Sequence, residues 1–197
     1  MHGGDVWQFE LFAPVYDLLV PGADAGLTAA IETATVPVER LLDVGGGTGR
    51  GARAVDVPER IVIDPAAAML REAREHGLAA VRGDGSRLPV ADGAVQAVLI
   101  TDALHHVGDQ LGLVREAYRV LAPGGVFVVQ EFDPTTALGR LLAAGERLVG
   151  FDSRFHPPET VREVLAAVGF EAAVRETGVE YLVVGIRPDR VDDRPRW

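Results

Sequence analysis

A short apolar run, Leu41-Leu42-Asp43-Val44, passes directly into Gly45-Gly46-Gly47-Thr48-Gly49 and then into a helix-compatible stretch beginning near Arg50. A strand, a tight turn and a helix within an α/β sheet satisfy that order. Glycine at alternate positions 45, 47 and 49 permits positive φ and lets a ligand approach the main chain. The first N–H groups of the following helix are unpaired and face whatever the loop holds. Asp43 closes the strand at the mouth of that crevice. A carboxylate there repels a pyrophosphate and favours an amine, which suits a ligand carrying an amino acid. The spacing alone leaves two other readings. Gly47-Thr48-Gly49-Arg50-Gly51-Ala52 also satisfies the dinucleotide fingerprint, and a glycine-rich turn can hold no ligand at all.

The rest of the chain alternates. Helices are expected over 8–20, with Phe9, Phe12, Tyr16 and Leu19 on one side, over 24–35, from Pro65 through His76, near 110–121 and over 158–168. Strands are expected at 41–44, 60–63, 79–82, 94–101, 126–130, 172–177 and 181–186, with a turn at Pro123-Gly124-Gly125. Strands alternating with helices predict a doubly wound, mostly parallel sheet. The short turn at Gly178-Val179 forces the last two strands into an antiparallel hairpin at one edge. Sheets of this kind bind ligands beyond the carboxyl ends of their strands. Asp43, Asp64, Asp84 and Asp102 each end or follow a strand, on that rim. Aspartate also caps helices and forms turns, but four in register favour a polar ligand. Asp64 suits the two hydroxyls of a ribose, and Asp84 the exocyclic amine of adenine. Asp43 with the glycines suits a charged amino-acid arm.

At 197 residues, 48% of them apolar, the chain fits one α/β core. Residues 1–190 are read as a single domain, with 1–36 as a helical lid, 131–157 as a variable segment covering the substrate, and 191–197 as a charged tail. Net charge is -10, and all 19 basic side chains are arginine. Such a surface repels phosphate backbones, which argues against a nucleic-acid partner. GC-rich coding and adaptation to high salt both produce this composition; the size of the charge leans toward a halophile. The absence of cysteine excludes disulfides, thiolate metal sites and a cysteine nucleophile. No apolar run reaches the roughly 18 residues that span a bilayer, and no secretory leader is visible, so a cytoplasmic protein without stable membrane insertion is expected. Neither histidine nor carboxylate spacing suggests a metal site.

Four stretches in order carry a family resemblance: LLDVGGGTG at 41–49, IVIDPAAAML at 61–70, GDGSRLPVADGAVQAVLITDALHHV at 83–107 and RVLAPGGVFVV at 119–129. Together they resemble the class I S-adenosylmethionine-dependent methyltransferases, within the small-molecule branch that includes the ubiquinone and menaquinone C-methyltransferases. Phe12-Ala13-Pro14-Val15-Tyr16-Asp17 resembles the N-terminal segment of that branch, and the likeness runs from residue 9 to about 186. It implies a Rossmann-like seven-stranded sheet in the order 3-2-1-4-5-7-6, with the last strand antiparallel, and S-adenosylmethionine as cofactor. It further implies that Asp43, Gly45 and Gly47 line the methionine portion, Asp64 the ribose, and Asp84 with Gly85 the adenine. The Thr101 carbonyl would face the methionine amine, Met69 (or Ala66 near it) the adenine ring, and Tyr16 would close over the cofactor.

The implied activity is methyl transfer to a small-molecule substrate, apolar or ring-bearing and quinone-like. Transfer from a sulfonium is largely a matter of alignment, and a base is needed only if the acceptor must lose a proton. His105 and His106, just past the fourth strand, and His156, in the covering segment, are the candidate catalytic groups, since an unperturbed histidine titrates near pH 6.5, which suits a base at neutral pH. Phe9, Phe12, Tyr16, Phe132, Leu138, Leu142, Phe151 and Phe155 would wall the acceptor pocket. Two alternatives stand beside this one. A nicotinamide-dependent oxidoreductase could use the same sheet, although the chain lacks a Tyr-x-x-x-Lys pair. A non-catalytic S-adenosylmethionine-binding protein could retain the same motifs.

Overall fold

Strand β1 (Arg40–Val44) lies near the middle of a sheet of seven strands. The computed structural model describes residues 26–148, 150–151 and 153–189. The expected N-terminal helix, with Phe9, Phe12 and Tyr16, and the tail 191–197 fall outside them. Helix α1 (Gly26–Ile31) precedes β1, and the single turn α2 (Arg50–Arg53) follows it. Then come β2 (Glu59–Asp64), α3 (Ala67–Glu75), β3 (Ala79–Arg82) and β4 (Val95–Thr101). A 3-10 turn, Leu104–His106, leads to α4 (Gln110–Val120) and β5 (Leu121–Phe132). Helices α5 (Ala137–Leu148) and α6 (Pro158–Val168) precede the hairpin of β6 (Glu171–Glu176) and β7 (Glu180–Ile186).

The strand order is β3-β2-β1-β4-β5-β7-β6, as expected. The strands β3, β2, β1, β4 and β5 pair in parallel, and β7 runs antiparallel to both β5 and β6. Strand β4 has buried residues at every position but Gln96, as a parallel strand covered on both faces must. One face of the sheet packs on α4 and α6 through Leu42, Ile63, Val98, Leu113, Val114 and Leu165. The other packs on α1, α2 and α3 through Leu27, Leu41, Ala52, Val62, Leu70 and Leu99. Side chains alternate along a strand, so Asp43, Asp64 and Thr101 share the second face with Leu41, Val62 and Leu99.

Three local expectations change. The helix after the glycine loop is one turn long. The turn at Pro123-Gly124-Gly125 lies inside β5, where the pairing register with β4 shifts between Val95 and Ala97 and Gly124 takes φ +77. Part of the covering segment is helix α5, started by the Thr136 hydroxyl, which accepts the Gly139 N–H at 3.0 Å.

Candidate active site

Asp43 ends its strand fully buried beneath the glycine loop. Gly46 makes room for it, since a Cβ there would lie 2.4 Å from the Asp43 carboxyl carbon. One carboxylate oxygen accepts the Ala52 N–H at 2.9 Å. The other, Oδ1, is buried and has no hydrogen-bond partner. Burial, reinforced by the nearby Asp64 carboxylate, pushes the Asp43 carboxyl up to about 7, against the opposing pull of the Ala52 N–H and Arg50. Asp64 is also buried; it accepts the Gly47 N–H at 3.0 Å and the Ala66 N–H at 2.8 Å.

These contacts bear on the dinucleotide reading. The Gly45 and Gly49 N–H groups go to the carbonyls of Ile63 and Gly46, and those of Gly47 and Ala52 go to the two aspartates. The amides a pyrophosphate would need are therefore engaged, two of them by negative charges that repel it. A ligand with a cationic arm meets the opposite situation: an orphaned carboxylate oxygen and a set of acidic neighbours. Gly45, Gly47 and Gly49 all take positive φ, and above Gly47 the nearest atom to an added Cβ is the Met69 sulfur at 3.7 Å. That opening, the orphaned oxygen and the acidic donor set fit an S-adenosylmethionine-type group, which when bound supplies an activated methyl on a sulfonium.

The turn after β3, where the adenine is expected, is organised differently. Asp84 is exposed, and its Oδ1 accepts both the Ser86 N–H and hydroxyl, which hold its carboxyl below the ordinary value although partial burial works the other way. Gly85 lies against Val44 and Leu113, each within 3 Å of where a Cβ would stand. The loop that follows is tied to α4. Glu116 accepts the Leu88 N–H at 2.7 Å, and the Arg119 guanidinium donates to Glu116, Asp92 and the carbonyls of Leu88 and Val90.

At the ends of β4 and β5 the structure brings together residues far apart in sequence. Asp102 is the non-glycine residue with positive φ (+50) among those described. Its Oδ2 accepts from Arg50 at 2.5 Å, and its Oδ1 is buried without a partner. Burial and the neighbouring Glu131 raise the Asp102 carboxyl to about 6, restrained by Arg50. Glu131 binds His105 Nδ1 at 2.6 Å and also accepts the Leu104 N–H at 2.7 Å. His105 stacks on Phe155 with ring centres 4.1 Å apart, and His106 lies 5.0 Å from the ring of Phe151.

The two histidines do not keep an ordinary titration. Burial alone pulls the His105 imidazolium down, but the charge and hydrogen bonds of Glu131 and Glu146 hold it up at about 10. His106 is pushed down to about 3 by burial and by the positive charge of His105. His156 stands apart from this group. Its Nε2 meets Gln110 at 2.8 Å, and it lines an apolar cavity between α4 and α6 with Leu104, Val114 and Leu165. Of the expected site residues, Asp43, Gly45, Gly47, Asp64, Met69, Asp84, Gly85 and Thr101 stand at the carboxyl ends of β1 to β4 or in the segments that follow them, and Tyr16 falls outside the described residues. Sequence reasoning passed over Arg50, Glu131 and Glu146 as site residues. For Glu131 the visible signal was an acid at the end of a buried strand.

Comparison with known proteins agrees with this geometry. A family model described as a methyltransferase domain matches residues 42–129. The demethylmenaquinone methyltransferase of Thermus thermophilus is 31% identical, over 95% of this chain and 100% of its own. That of Corynebacterium kroppenstedtii is 29% identical, over 96% of this chain and 93% of its own. Among solved structures, a Thermotoga maritima S-adenosylmethionine-dependent methyltransferase, titled a possible histamine N-methyltransferase, superposes with a TM-score of 0.75 at 23% identity, over 92% of this chain and 99% of that one. The strand order, the aspartates at the strand ends and these relatives together place the chain in the class I S-adenosylmethionine-dependent methyltransferase family, in the branch of the ubiquinone and menaquinone C-methyltransferases.

Proposed function

We propose that this methyltransferase acts on a small, ring-bearing and largely apolar acceptor of quinone type, a small-molecule substrate and not a nucleic acid. The observation that carries the reading is the group at the end of β4. Asp102 stands there with one carboxylate oxygen unpartnered, and three residues further on the aromatic set of His105, His106, Phe151 and Phe155 begins. Apolar and aromatic walls with a few polar groups are what small-molecule pockets offer. The two demethylmenaquinone methyltransferases, similar over nearly their full lengths, support the same class.

Methylating such a ring at carbon or at a hydroxyl removes one proton from the acceptor. His105, His106 and His156 are the histidines available, and their environments sort them. His105 is held protonated by Glu131, His106 is held neutral and weakly basic, and His156 is engaged with Gln110. Of the two rim aspartates raised toward neutral pH, where a general base works best, Asp43 lies beneath the glycine loop, and Asp102, at about 6, is the one at the end of β4 beside the aromatic set. The chain's residues then divide the work. Asp43 and Asp64 hold the methyl donor, Arg50 positions Asp102, and Asp102 Oδ1 takes the acceptor's proton.

The test is transfer of labelled methyl to a panel containing a short-chain naphthohydroquinone, an arylamine and a bulk tRNA. Label is expected in the hydroquinone. Asp102→Asn should lower turnover by about 10²–10⁴-fold with little change in cofactor affinity. Label confined to the amine or the tRNA would overturn the reading.

A further inference from the structure

We propose that His105, His106 and Glu146 form a binding site for one divalent transition-metal ion of the zinc class, with Glu131 as the outer partner that orients His105. The donors come from two segments. Both histidines sit on the 3-10 turn after β4, and Glu146 comes from the last part of α5, 40 residues further on. One ligand atom from each, imidazole nitrogen or carboxylate oxygen, lies within 4.8 Å of the others.

The distances fit a common ion. His105 Nε2 and Glu146 Oε1 are 3.4 Å apart. Two ligands bonded at about 2.0–2.1 Å to one tetrahedral zinc stand about 3.3–3.4 Å apart. His105 already has the orientation such a site requires. Its Nδ1 meets the Glu131 carboxylate at 2.6 Å, which directs the other nitrogen, Nε2, toward Glu146. Carboxylate, imidazole and metal in line is the recurring arrangement of histidine-ligated ions. Glu131 is itself fixed by the Leu104 N–H at 2.7 Å, so the outer partner is anchored to the main chain.

Charge and burial point the same way. Glu146 Oε2 is buried with no hydrogen-bond partner, although a buried carboxylate oxygen is costly to leave unpaired. Two carboxylates and two imidazoles meet here with both histidines buried. A dication between them balances the two negative charges; it displaces the proton from His105 Nε2 to solvent, so that both imidazoles bind as neutral ligands. Phe155 stacks on His105 and Phe151 closes on His106, which keeps bulk water from competing. Two imidazole nitrogens and one carboxylate oxygen suit zinc, cobalt or nickel better than magnesium or calcium, which prefer oxygen alone. Such an ion would fasten α5 and the segment after it onto the turn beyond β4. The local spacing of histidines gives no hint of this, because the third ligand arrives only through folding.

The experiment uses the full chain, stripped with chelator and titrated with zinc chloride by calorimetry, with cobalt(II) as an optical probe. One ion per chain is expected, with cobalt absorption intensified relative to the aqueous ion. Glu146→Gln should weaken the dissociation constant at least tenfold, and Glu131→Gln by about 10–100-fold. His76→Ala, on a histidine outside the cluster, should leave it unchanged. The melting curve of each variant shows that it folds, and the cobalt spectrum of the unaltered chain stands independently of any variant. Absence of saturable binding, a cobalt spectrum identical to that of the free ion, or a Glu146→Gln affinity equal to that of the parent chain would each overturn the proposal.

Discussion

Asp43→Asn separates what the crevice costs from what it does. The Asp43 carboxyl is fully buried and raised from 3.8 to about 7, and a difference of that size corresponds to roughly 4 kcal/mol against the ionised form. Because the folded-state value lies above the unfolded one, Asp43's contribution to stability is complete below about pH 4 and is lost as pH rises through about 7. Asparagine keeps an oxygen to accept the Ala52 N–H and carries no charge. The variant should therefore gain on the parent chain between pH 4 and pH 8, reaching about 2–4 kcal/mol by urea unfolding at the upper end. The cofactor should show the reverse. An ammonium arriving beside Asp43 is attracted only to the ionised carboxylate, so parent-chain affinity for S-adenosylhomocysteine should rise with pH toward 8, while that of Asp43→Asn changes less. Unfolding free energies of the two proteins that fall in parallel across this range would refute the reasoning, because they would show that Asp43 does not ionise against a penalty.

Three further outcomes are expected. Asp64→Ala removes the acceptor for the Gly47 and Ala66 N–H groups as well as the proposed ribose contact, and should weaken S-adenosylhomocysteine binding by about 1–3 kcal/mol, roughly fivefold to 150-fold, by calorimetry. Gly49→Ala places a side chain at φ +81 with its Cβ 2.1 Å from Leu78 Cδ1; backbone strain and overpacking together should lower stability by about 2–4 kcal/mol in urea unfolding. Glu131→Gln leaves His105 buried beside a neutral amide and should destabilise the fold by about 3 kcal/mol, read as a lower thermal midpoint.

The sheet was legible because its strands are short apolar runs that end at aspartates and are punctuated by glycine. Strand β3 begins and ends where its residues suggest, and the four rim aspartates stand at the expected strand ends. What escaped the sequence is of two kinds. The turn at Pro123 to Gly125 became a bulge, because the neighbouring β4 supplies pairing partners on both sides of it. Helix α5 carries Gly139 and Gly145 and exposes Leu138, Leu141 and Leu148, so its pattern lacks the clean buried stripe that marks a helix. The second kind is long-range. Arg50 with Asp102, and His105 with Glu131, lie 52 and 26 residues apart, and no local spacing encodes such a meeting. The shifted behaviour of His105 and His106 follows from those partners and not from the histidines themselves.

The binding of the 88–93 loop to α4 has a consequence for the entropy of recognition. Leu88, Val90 and Asp92 are held by Glu116 and Arg119, and the Gly93 N–H returns to the Arg119 carbonyl at 3.0 Å. This loop continues directly from Asp84 and Gly85, the residues expected to face the adenine. Its conformational freedom is thus surrendered when the chain folds and not when a nucleoside arrives. A ligand entering a wall already fixed loses less of its binding energy to ordering the protein, by about 0.5–1.5 kcal/mol for each side chain that need not be immobilised. A guanidinium, with five donors in one plane, can hold several acceptors at once, and the single Arg119 side chain holds this loop at Leu88, Val90 and Asp92.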